Sequence, residues 1–301
     1  MSIKLHEIAQ HTSLEVLARQ MVEGFITGMH KSPYHGFSVE FAEHRLYNDG
    51  ESTRHIDWKV YARTDRLFSK RYEEETNLRC LIAIDVSPSM FYPVESRSKL
   101  RFSIYAASAL GYLLHRQRDA VGLCFFSDSI KTFTPVKSTP THLDKLFTLL
   151  ENLSERRAPE GSTQVAQVMH EIAEKIHKRS LVVIFSDMFD GNENTDDLFK
   201  ALQHLKHNKH EVIVFHVMDH QTELNFDFED RPMEFIDLET KEKIKLNPAD
   251  VKQQYQVEAG KFYRGLKMRC NQYKIDFVEA DVQSDFNTVL QTYLIKRAKM
   301  R

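Results

Sequence analysis

The length, composition and charge of this chain describe a globular protein and exclude several other classes. Of its 301 residues, 42% are hydrophobic and 28% are charged, which is typical of a protein with an apolar core and not of a disordered chain. Its 41 basic and 43 acidic residues leave a net charge of −2, which gives no long-range attraction to nucleic acid or to an acidic membrane surface. No segment approaches the roughly 18 consecutive apolar residues of a membrane span, and the N-terminus has no apolar signal core. A cytoplasmic protein is therefore predicted.

The first 77 residues differ in character from the rest and are predicted to form an N-terminal α+β segment. Apolar residues recur at helical spacing over residues 14–29, which predicts an amphipathic helix with an internal packing face. Residues 34–75 are then dense in charged and aromatic side chains, including the only tryptophan, Trp58. This stretch is too apolar to be a linker, so we expect the N-terminal segment, residues 1–77, to pack against a main domain of residues 78–301.

From about residue 78 onward, short apolar runs alternate with amphipathic stretches. The runs are rich in Val, Ile and Phe and lack a polar alternate, as expected of parallel strands that are covered on both faces. Helical patterns lie between them, for example at residues 100–114 and 165–176. This alternation predicts an α/β fold with a doubly wound, mostly parallel sheet. The predicted strands are Leu78–Ile84, Val121–Phe126, Leu181–Phe185, Val212–Val217 and Ile275–Val278.

One segment interrupts the alternation of strands and helices. Residues 225–246 contain two short runs of alternating apolar and polar residues on either side of Glu239–Thr240–Lys241. This pattern is typical of two antiparallel strands joined by a turn, and it predicts an inserted β-hairpin.

The sequence DVSPSM, residues 85–90, directly follows the first apolar run. In an extended segment, alternate residues project to the same side, so Asp85, Ser87 and Ser89 would present three oxygens in one direction. Two interpretations are open at this point. The polar residues either cap the next helix or bind a hard cation.

Two further strand ends carry oxygen ligands and favour the cation. Thr163 lies in a loop that opens a helix, and Asp187 follows the apolar run that ends at residue 185. In an open α/β sheet, ligands bind outside the carboxyl ends of the strands, so these loops should meet at one edge. Hydroxyl oxygens with two carboxylates close by suit a hard divalent ion such as Mg²⁺, with Mn²⁺ or Ca²⁺ as alternatives. The predicted metal site consists of Asp85, Ser87, Ser89, Thr163 and Asp187.

These positions resemble the metal-ion-dependent adhesion site, or MIDAS, of von Willebrand factor A domains. DVSPSM resembles the Asp-x-Ser-x-Ser signature of that family, Thr163 matches its Gly-x-Thr position, and Asp187 matches the Asp after its fourth strand. The resemblance implies a von Willebrand factor A-like, Rossmann-type domain from about residue 78 to the end. It also implies an ion with an open position that accepts a carboxylate from another protein.

A second resemblance covers the chain from about residue 36 almost to the C-terminus. It is to a bacterial family, domain of unknown function number 58, whose hallmark precedes an A domain. The chain departs from that pattern where the usual Gly-Asp-Asp reads Gly50–Glu51–Ser52 and where Arg118 replaces a Gly, but neither change touches the predicted ligands. The matching residues are Glu40–Phe41, Arg45–Leu46–Tyr47, Gly50, Arg54–His55–Ile56–Asp57–Trp58, Ala62–Arg63, Lys70 through Glu75, and DLET at 237–240.

The two resemblances together imply a non-catalytic, metal-dependent protein-interaction module. Members of the second family look like companions of MoxR-type AAA+ ATPases, so such an ATPase is the implied partner, in the assembly or maturation of another complex. The ion is expected to bind weakly until the partner supplies an acidic side chain.

An enzyme is the main alternative to an interaction module. A metal-dependent hydrolase or phosphotransferase would use Asp85 as a nucleophile or a metal ligand. However, no acidic residue lies two positions after Asp85, and the chain has neither a G-x-x-x-x-G-K-[ST] loop nor a G-x-S-x-G elbow. We therefore expect no catalytic activity.

Two other groups of residues could carry function. His204, His207 and His210 suggest a zinc site, but no Cys lies near them, and surface or capping roles are favoured. The second group allows two interpretations that the sequence does not separate, a surface that reads a partner or a buried Arg–Asp pair beneath an indole. Its members are Arg54, Asp57, Trp58 and Arg63.

Overall fold

The computed structural model describes most of the chain beyond residue 78 and short stretches before it. The described residues are 13–30, 44–46, 61–63, 65, 68–70, 78–93, 98–156, 164–188, 195–283 and 287–300. The chain divides into two compact units, one formed by Met1–Glu23 with Leu78–Arg301 and the other by Gly24–Asn77. Within the second unit, β1 (His44–Leu46) pairs antiparallel with β2 (Phe68–Lys70).

The expected packing of residues 1–77 on the main domain stays a prediction. Arg54, Asp57 and Trp58 lie outside the described residues, so the two interpretations of that group both remain. Helix α1, Leu14–His30, begins in the larger unit. Its predicted packing face is confirmed over its first turns, where Leu14, Leu17, Ala18 and Val22 are buried.

The larger unit is built on a six-stranded sheet, which confirms the predicted α/β class. The strands of the sheet and of the hairpin are β3 (Arg79–Asp85), β4 (Ala120–Phe126), β5 (Ile130–Phe133), β6 (Leu181–Ser186), β7 (Glu211–Met218), β8 (Met233–Ile236), β9 (Lys243–Leu246) and β10 (Asp276–Asp281). The strand order of the sheet is β10-β7-β6-β3-β4-β5, and all neighbours are parallel except β4 and β5.

Helices cover both faces of this sheet, as a doubly wound fold requires. The helices are α2 (Ser98–Arg116), α3 (Pro140–Glu155), α4 (Val165–Lys175), α5 (Thr195–His207), α6 (Pro248–Gln272) and α7 (Asn287–Met300), with a 3-10 helix at Pro88–Phe91 and a π-helix at His220–Leu224. One face of the sheet packs against α4, α5 and α6 in a common apolar core. On the other face, α2 contacts β3 and β4 and also packs against α3 and α7.

The central strands form because their apolar runs are buried on both faces. Every residue of β6 is buried, and so are all residues of β3 after Arg79. These runs coincide with the predicted strands to within one or two residues. Burial of both faces leaves no polar alternate, which is why the pattern was recognisable in the sequence.

The predicted hairpin is confirmed, and one strand was missed. β8 and β9 pair antiparallel, with Phe235 opposite Ile244, inside the predicted range 225–246. The missed strand is β5, which has four residues of alternating partial burial and lies at the edge of the sheet. Such a short, half-exposed strand lacks the continuous apolar run on which the other predictions were based.

Among the described residues, no helix is both long enough and apolar enough to cross a bilayer.

Candidate metal centre

The candidate site lies where the order of the sheet reverses. From the central strand β3 the chain first builds β4 and β5 on one side, and it then returns to build β6, β7 and β10 on the other. The loops after β3 and β6 therefore diverge and leave a crevice at the carboxyl ends of these strands. Asp85 is the last residue of β3, and Ser186 is the last residue of β6.

Asp85 links these two strand ends through its carboxylate. Its Oδ2 accepts a hydrogen bond of 2.7 Å from Ser186 Oγ, and its Oδ1 accepts one of 2.9 Å from the backbone N–H of Ser87. All three residues are fully buried. The contact joins residues that are 101 positions apart in the chain, so it is a product of the tertiary fold.

Ser87 and Ser89 present their hydroxyls to each other at the start of the next loop. Their Oγ atoms are 3.0 Å apart. The predicted extended path is not what brings them together, because Ser89 lies in the 3-10 helix Pro88–Phe91, which Pro88 starts with its fixed φ. Ser87 occupies the cap position of that helix but makes no capping hydrogen bond with its side chain. The helix-cap interpretation therefore does not account for its hydroxyl.

Asp187 is held by a tight turn directly after β6. Met188 has a positive φ of 53°, which is uncommon for a residue other than glycine and turns the backbone sharply. Its N–H donates to Ser186 Oγ at 2.8 Å, and His216 Nε2 donates to the backbone carbonyl of Asp187, also at 2.8 Å. Both contacts fix the backbone that carries the Asp187 side chain.

A buried lysine that the sequence analysis did not single out is bonded to Asp187. Lys99 has a relative exposure of 1%, and its Nζ donates to Asp187 Oδ2 at 2.9 Å and to Glu223 Oε1 at 2.6 Å. Burial by itself lowers the pKa of Lys99, but the charges of Asp187 and Glu223 outweigh that effect and raise it. Lys99 is therefore a permanent cation beside the site.

Asp85 and His216 are two further buried groups whose pKa values are shifted. Burial, and then the charge of Asp187, raise the pKa of Asp85 to about 7. Burial lowers the pKa of His216 to about 4, although the charge of Asp187 acts in the opposite direction. Asp85 is therefore only about half ionised at neutral pH, and a cation next to it would favour its charged form.

The described residues fit a hard divalent ion. Mg²⁺ holds its oxygen ligands at about 2.0–2.1 Å, which places neighbouring ligands of an octahedron about 3 Å apart. The hydroxyls of Ser87 and Ser89 have that separation. Asp85 accepts the backbone N–H of Ser87, and the charge of Asp187 acts on Asp85, so these two carboxylates could balance the charge of an ion held by the serines.

The structure places four of the five predicted ligands at this crevice, and Thr163 lies outside the described residues. Metal binding by these residues stays a prediction. Within the described part of the chain, no group of three or more His, Cys, Asp or Glu side chains is arranged to hold a metal. A site that depends on serine hydroxyls would not form such a group.

The histidines considered for zinc do not converge either. His204 contacts His170, with 3.0 Å between their Nδ1 atoms, and its Nε2 is 2.9 Å from Glu174 Oε1. His210 is buried elsewhere, and its Nδ1 accepts the N–H of Ser180. The favoured interpretation, surface or capping roles, agrees with the contacts of His204, whereas His210 is a buried residue that bonds a backbone N–H.

The fold and the site define a doubly wound α/β protein with an oxygen-rich crevice at its switch point. The chain belongs to the family described as Protein of unknown function DUF58, whose model matches residues 43–261. The predicted family is thereby confirmed. The match includes both the α/β sheet from β3 to β7 and the segment that precedes it.

The curated relatives that match the chain are described as uncharacterized proteins. The chain is 24% identical to the uncharacterized protein Rv1480 of Mycobacterium tuberculosis over 208 residues, which are 69% of this chain and 63% of the relative. The matched region thus spans less than two thirds of that protein.

Solved structures with a similar fold include von Willebrand factor A domains. The conserved hypothetical protein BatB from Bacteroides thetaiotaomicron is 15% identical, with a TM-score of 0.44 over 74% of this chain and 100% of BatB. The VWA domain of SpRpn10 is 12% identical, with a TM-score of 0.37 over 73% and 94%. Proximal thread matrix protein 1 from the mussel byssus, solved with a zinc-occupied MIDAS motif, is 14% identical, with a TM-score of 0.37 over 47% and 38%.

Proposed function

We propose that the chain is a non-catalytic protein-interaction module that binds a divalent ion at the crevice between β3 and β6. Mg²⁺ is the first choice, held by Ser87 and Ser89 with Asp85 and Asp187 beside them. The loop residue Thr163 completes the proposed ligand set. The predicted cytoplasmic location is part of this proposal.

One observation carries the proposal, the pair of serine hydroxyls beside two carboxylates at the switch point of the sheet. Ser87 and Ser89 face each other at 3.0 Å, and neither is needed to cap a helix by its side chain. Neutral hydroxyl ligands leave a bound ion electrophilic, so an acidic side chain of another protein can complete its coordination. The bound ion would attract the partner's carboxylate, and the residues of this chain would hold the ion in place.

The proposed partner is a MoxR-type AAA+ ATPase, and the proposed role is assembly or maturation of a protein complex. This step comes from the family resemblance that the motifs before β3 carry. Because the partner would provide the last negative ligand, metal and partner should bind with positive coupling, and thermodynamic linkage makes that coupling reciprocal.

Removal of the two hydroxyls tests the metal site. We expect the double variant Ser87→Ala with Ser89→Ala to bind Mn²⁺ about tenfold or more weakly than the wild type in calorimetry. The matched control is Ser127→Ala with Ser129→Ala, because this pair has the same spacing at the end of β4 and its hydroxyls both contact Asp128. Equal affinity in the wild type and the first variant, with both proteins folded, would exclude the site.

The same variants test the partner. An ATPase needs Mg²⁺ itself, so a chelator would disturb both proteins, whereas the serine variants act on one side only. We expect the Ser87/Ser89 variant to lose affinity for a purified MoxR-type ATPase from the same organism and the Ser127/Ser129 variant to keep it. Loss in neither variant would show that this crevice does not bind the ATPase.

The position of Asp85 supports a non-catalytic role over a hydrolase or phosphotransferase. A carboxylate nucleophile has to reach its substrate, but the Asp85 side chain is fully buried and both of its oxygens accept hydrogen bonds. Phosphate release from generic phosphoester substrates, lost in Asp85→Asn, would contradict the proposal.

A further inference from the structure

The positively charged Lys99 is paired with Asp187, one of the carboxylates of the proposed metal site. Its Nζ is 2.9 Å from Asp187 Oδ2, 2.6 Å from Glu223 Oε1 and 5.9 Å from the centre of the Tyr92 ring. The lysine side chain has a relative exposure of 1%, and the Asp187 side chain 9%. A side chain that is buried to this degree stays charged only when a partner of opposite charge offsets the cost of its desolvation. In the chain as described, Asp187 and Glu223 are these partners.

We infer that Lys99 is the resident cation of the site, which a divalent ion displaces from Asp187 towards Glu223. The inference rests on the proposed function, because it requires a metal at Asp187. Because Lys99 competes with the metal for Asp187, it would also determine how tightly the metal binds. Metal binding is then an exchange of one cation for another and not the filling of an uncompensated negative site.

The geometry of the ion pairs makes such an exchange feasible. Lys99 already bonds two carboxylates, so the loss of Asp187 leaves it with Glu223, which is the shorter of its two contacts. An ammonium group has three donors on a flexible stem and needs no fixed orientation to keep one partner. The Glu223 side chain, with a relative exposure of 29%, is also more open to water than Asp187. The displaced Lys99 ammonium group therefore moves towards Glu223, the better solvated of its two carboxylate partners.

The exchange would also connect the metal to a separate part of the fold. Glu223 lies in the π-helix His220–Leu224, and such helices are rare and frequent at functional sites. Its Oε2 accepts the N–H of Asp219 at the end of β7, and its backbone carbonyl accepts the hydroxyl of Tyr255 on α6. A change in the ion pair between Lys99 and Glu223 would therefore affect the contacts that Glu223 makes with the end of β7 and with α6.

A matched pair of lysine variants tests the inference by metal affinity. Lys99→Met removes the competing cation, and we expect it to bind Mn²⁺ about tenfold or more tightly than the wild type in calorimetry. The control is Lys296→Met, since Lys296 also bonds two carboxylates, those of Glu211 and Asp276, at 2.7 and 2.8 Å on another part of the sheet. It should bind Mn²⁺ like the wild type. Equal or weaker affinity in Lys99→Met would overturn the inference.

A second measurement uses the wild-type protein and does not depend on the folding of a variant. Lysine labelled with nitrogen-15 at Nζ reports on the ammonium groups by NMR, and the loss of one signal in Lys99→Arg assigns Lys99. During a Mg²⁺ titration we expect the Ser87 amide and the Lys99 ammonium to shift together, while the Lys296 ammonium stays unchanged.

The two reporters separate failure of the inference from failure of the proposed function. A shift of the Ser87 amide with an unchanged Lys99 signal would overturn the cation exchange and leave the metal site in place. The absence of both shifts at millimolar Mg²⁺ would overturn the metal site and, with it, the exchange.

Discussion

Asp85 illustrates how the surroundings of one side chain determine its chemistry. An aspartate in water has a pKa near 3.9, but burial and the nearby charge of Asp187 raise the pKa of this carboxyl to about 7. Hydrogen bonds from Ser186 and from the Ser87 amide counteract the shift only in part. The group is thus held close to its midpoint at neutral pH, where a metal ion can favour its ionised form.

This raised pKa leads to a prediction about stability and pH in the absence of metal. Between about pH 4 and 7 the folded protein keeps a proton on Asp85 that the unfolded chain has released, so stability falls as the pH rises through this window. Asp85→Asn removes that dependence. In EDTA, the melting temperature of the wild type relative to Asp85→Asn should decrease from pH 4 to 7 and then level off, as measured by circular dichroism.

The comparison between the two proteins isolates Asp85 from other titrating groups. The pKa of His216 is lowered to about 4, so His216 destabilises the fold as the pH falls below 6.5, but it is present in both proteins. A difference in melting temperature that stays constant from pH 4 to 8 would contradict the raised pKa of Asp85.

At the scale of elements, β4 depends on a glycine for its packing. A Cβ added to Gly122 would lie 3.0 Å from Val136 Cγ2 and 3.2 Å from the carbonyl oxygens of Thr134 and Pro135. These neighbours belong to the segment that follows β5 and crosses beside β4. Two of the three contacts are backbone atoms, which cannot move aside without disturbing the pairing of that segment.

Two glycine substitutions should therefore change the free energy of unfolding in opposite directions. We expect Gly122→Ala to lose about 1–3 kcal/mol because of the forced close contacts. Gly111→Ala, in the interior of α2, should gain about 0.5–1 kcal/mol because nothing lies within 4 Å of the added Cβ and alanine favours the helix. Urea denaturation measures both changes. An unchanged free energy of unfolding in Gly122→Ala would show that the segment Thr134–Val136 moves aside without cost.

The first turns of the N-terminal helix, up to Glu23, are part of the larger unit. The first turns of α1 bury Leu14 and Leu17, and the backbone N–H of Leu14 donates to Glu151 Oε1 on α3 at 3.0 Å. These contacts join the start of the chain to its middle, 137 positions away. The apolar stripe of α1 is therefore an internal packing face over this region.

This contact predicts that the N-terminal helix contributes to global stability. Leu17→Ala should cost about 2–5 kcal/mol of unfolding free energy, as truncation of a buried leucine usually does. Val16→Ala is the control on the neighbouring position, because Val16 is 43% exposed and its truncation should cost less than about 0.5 kcal/mol. Equal effects of the two substitutions in urea denaturation would show that α1 is not docked in solution.

Local sequence patterns are sufficient to locate the central strands and the polar residues at their ends, although the edge strand β5 was missed. β3, β4, β6 and β7 are continuous apolar runs, and burial on both faces produces such a run with no need for other information. The rule that ligands meet at the carboxyl ends of parallel strands then pointed to Asp85 and Asp187. The family was also recognisable from the sequence, because its motifs lie in contiguous segments.

Which side chains neutralise these residues depends on contacts between distant segments of the folded chain. Lys99 meets Asp187 across 88 positions and Glu223 across 124. The single local signal was that Lys99 lies at helical spacing from Ser103 and Ala106, which are both buried. Periodicity can place a lysine on the inner face of a helix, but it cannot say which carboxylate will be there. Ion pairs between distant segments arise from how the strands and helices pack, so the cation beside Asp187 became visible only in the folded chain.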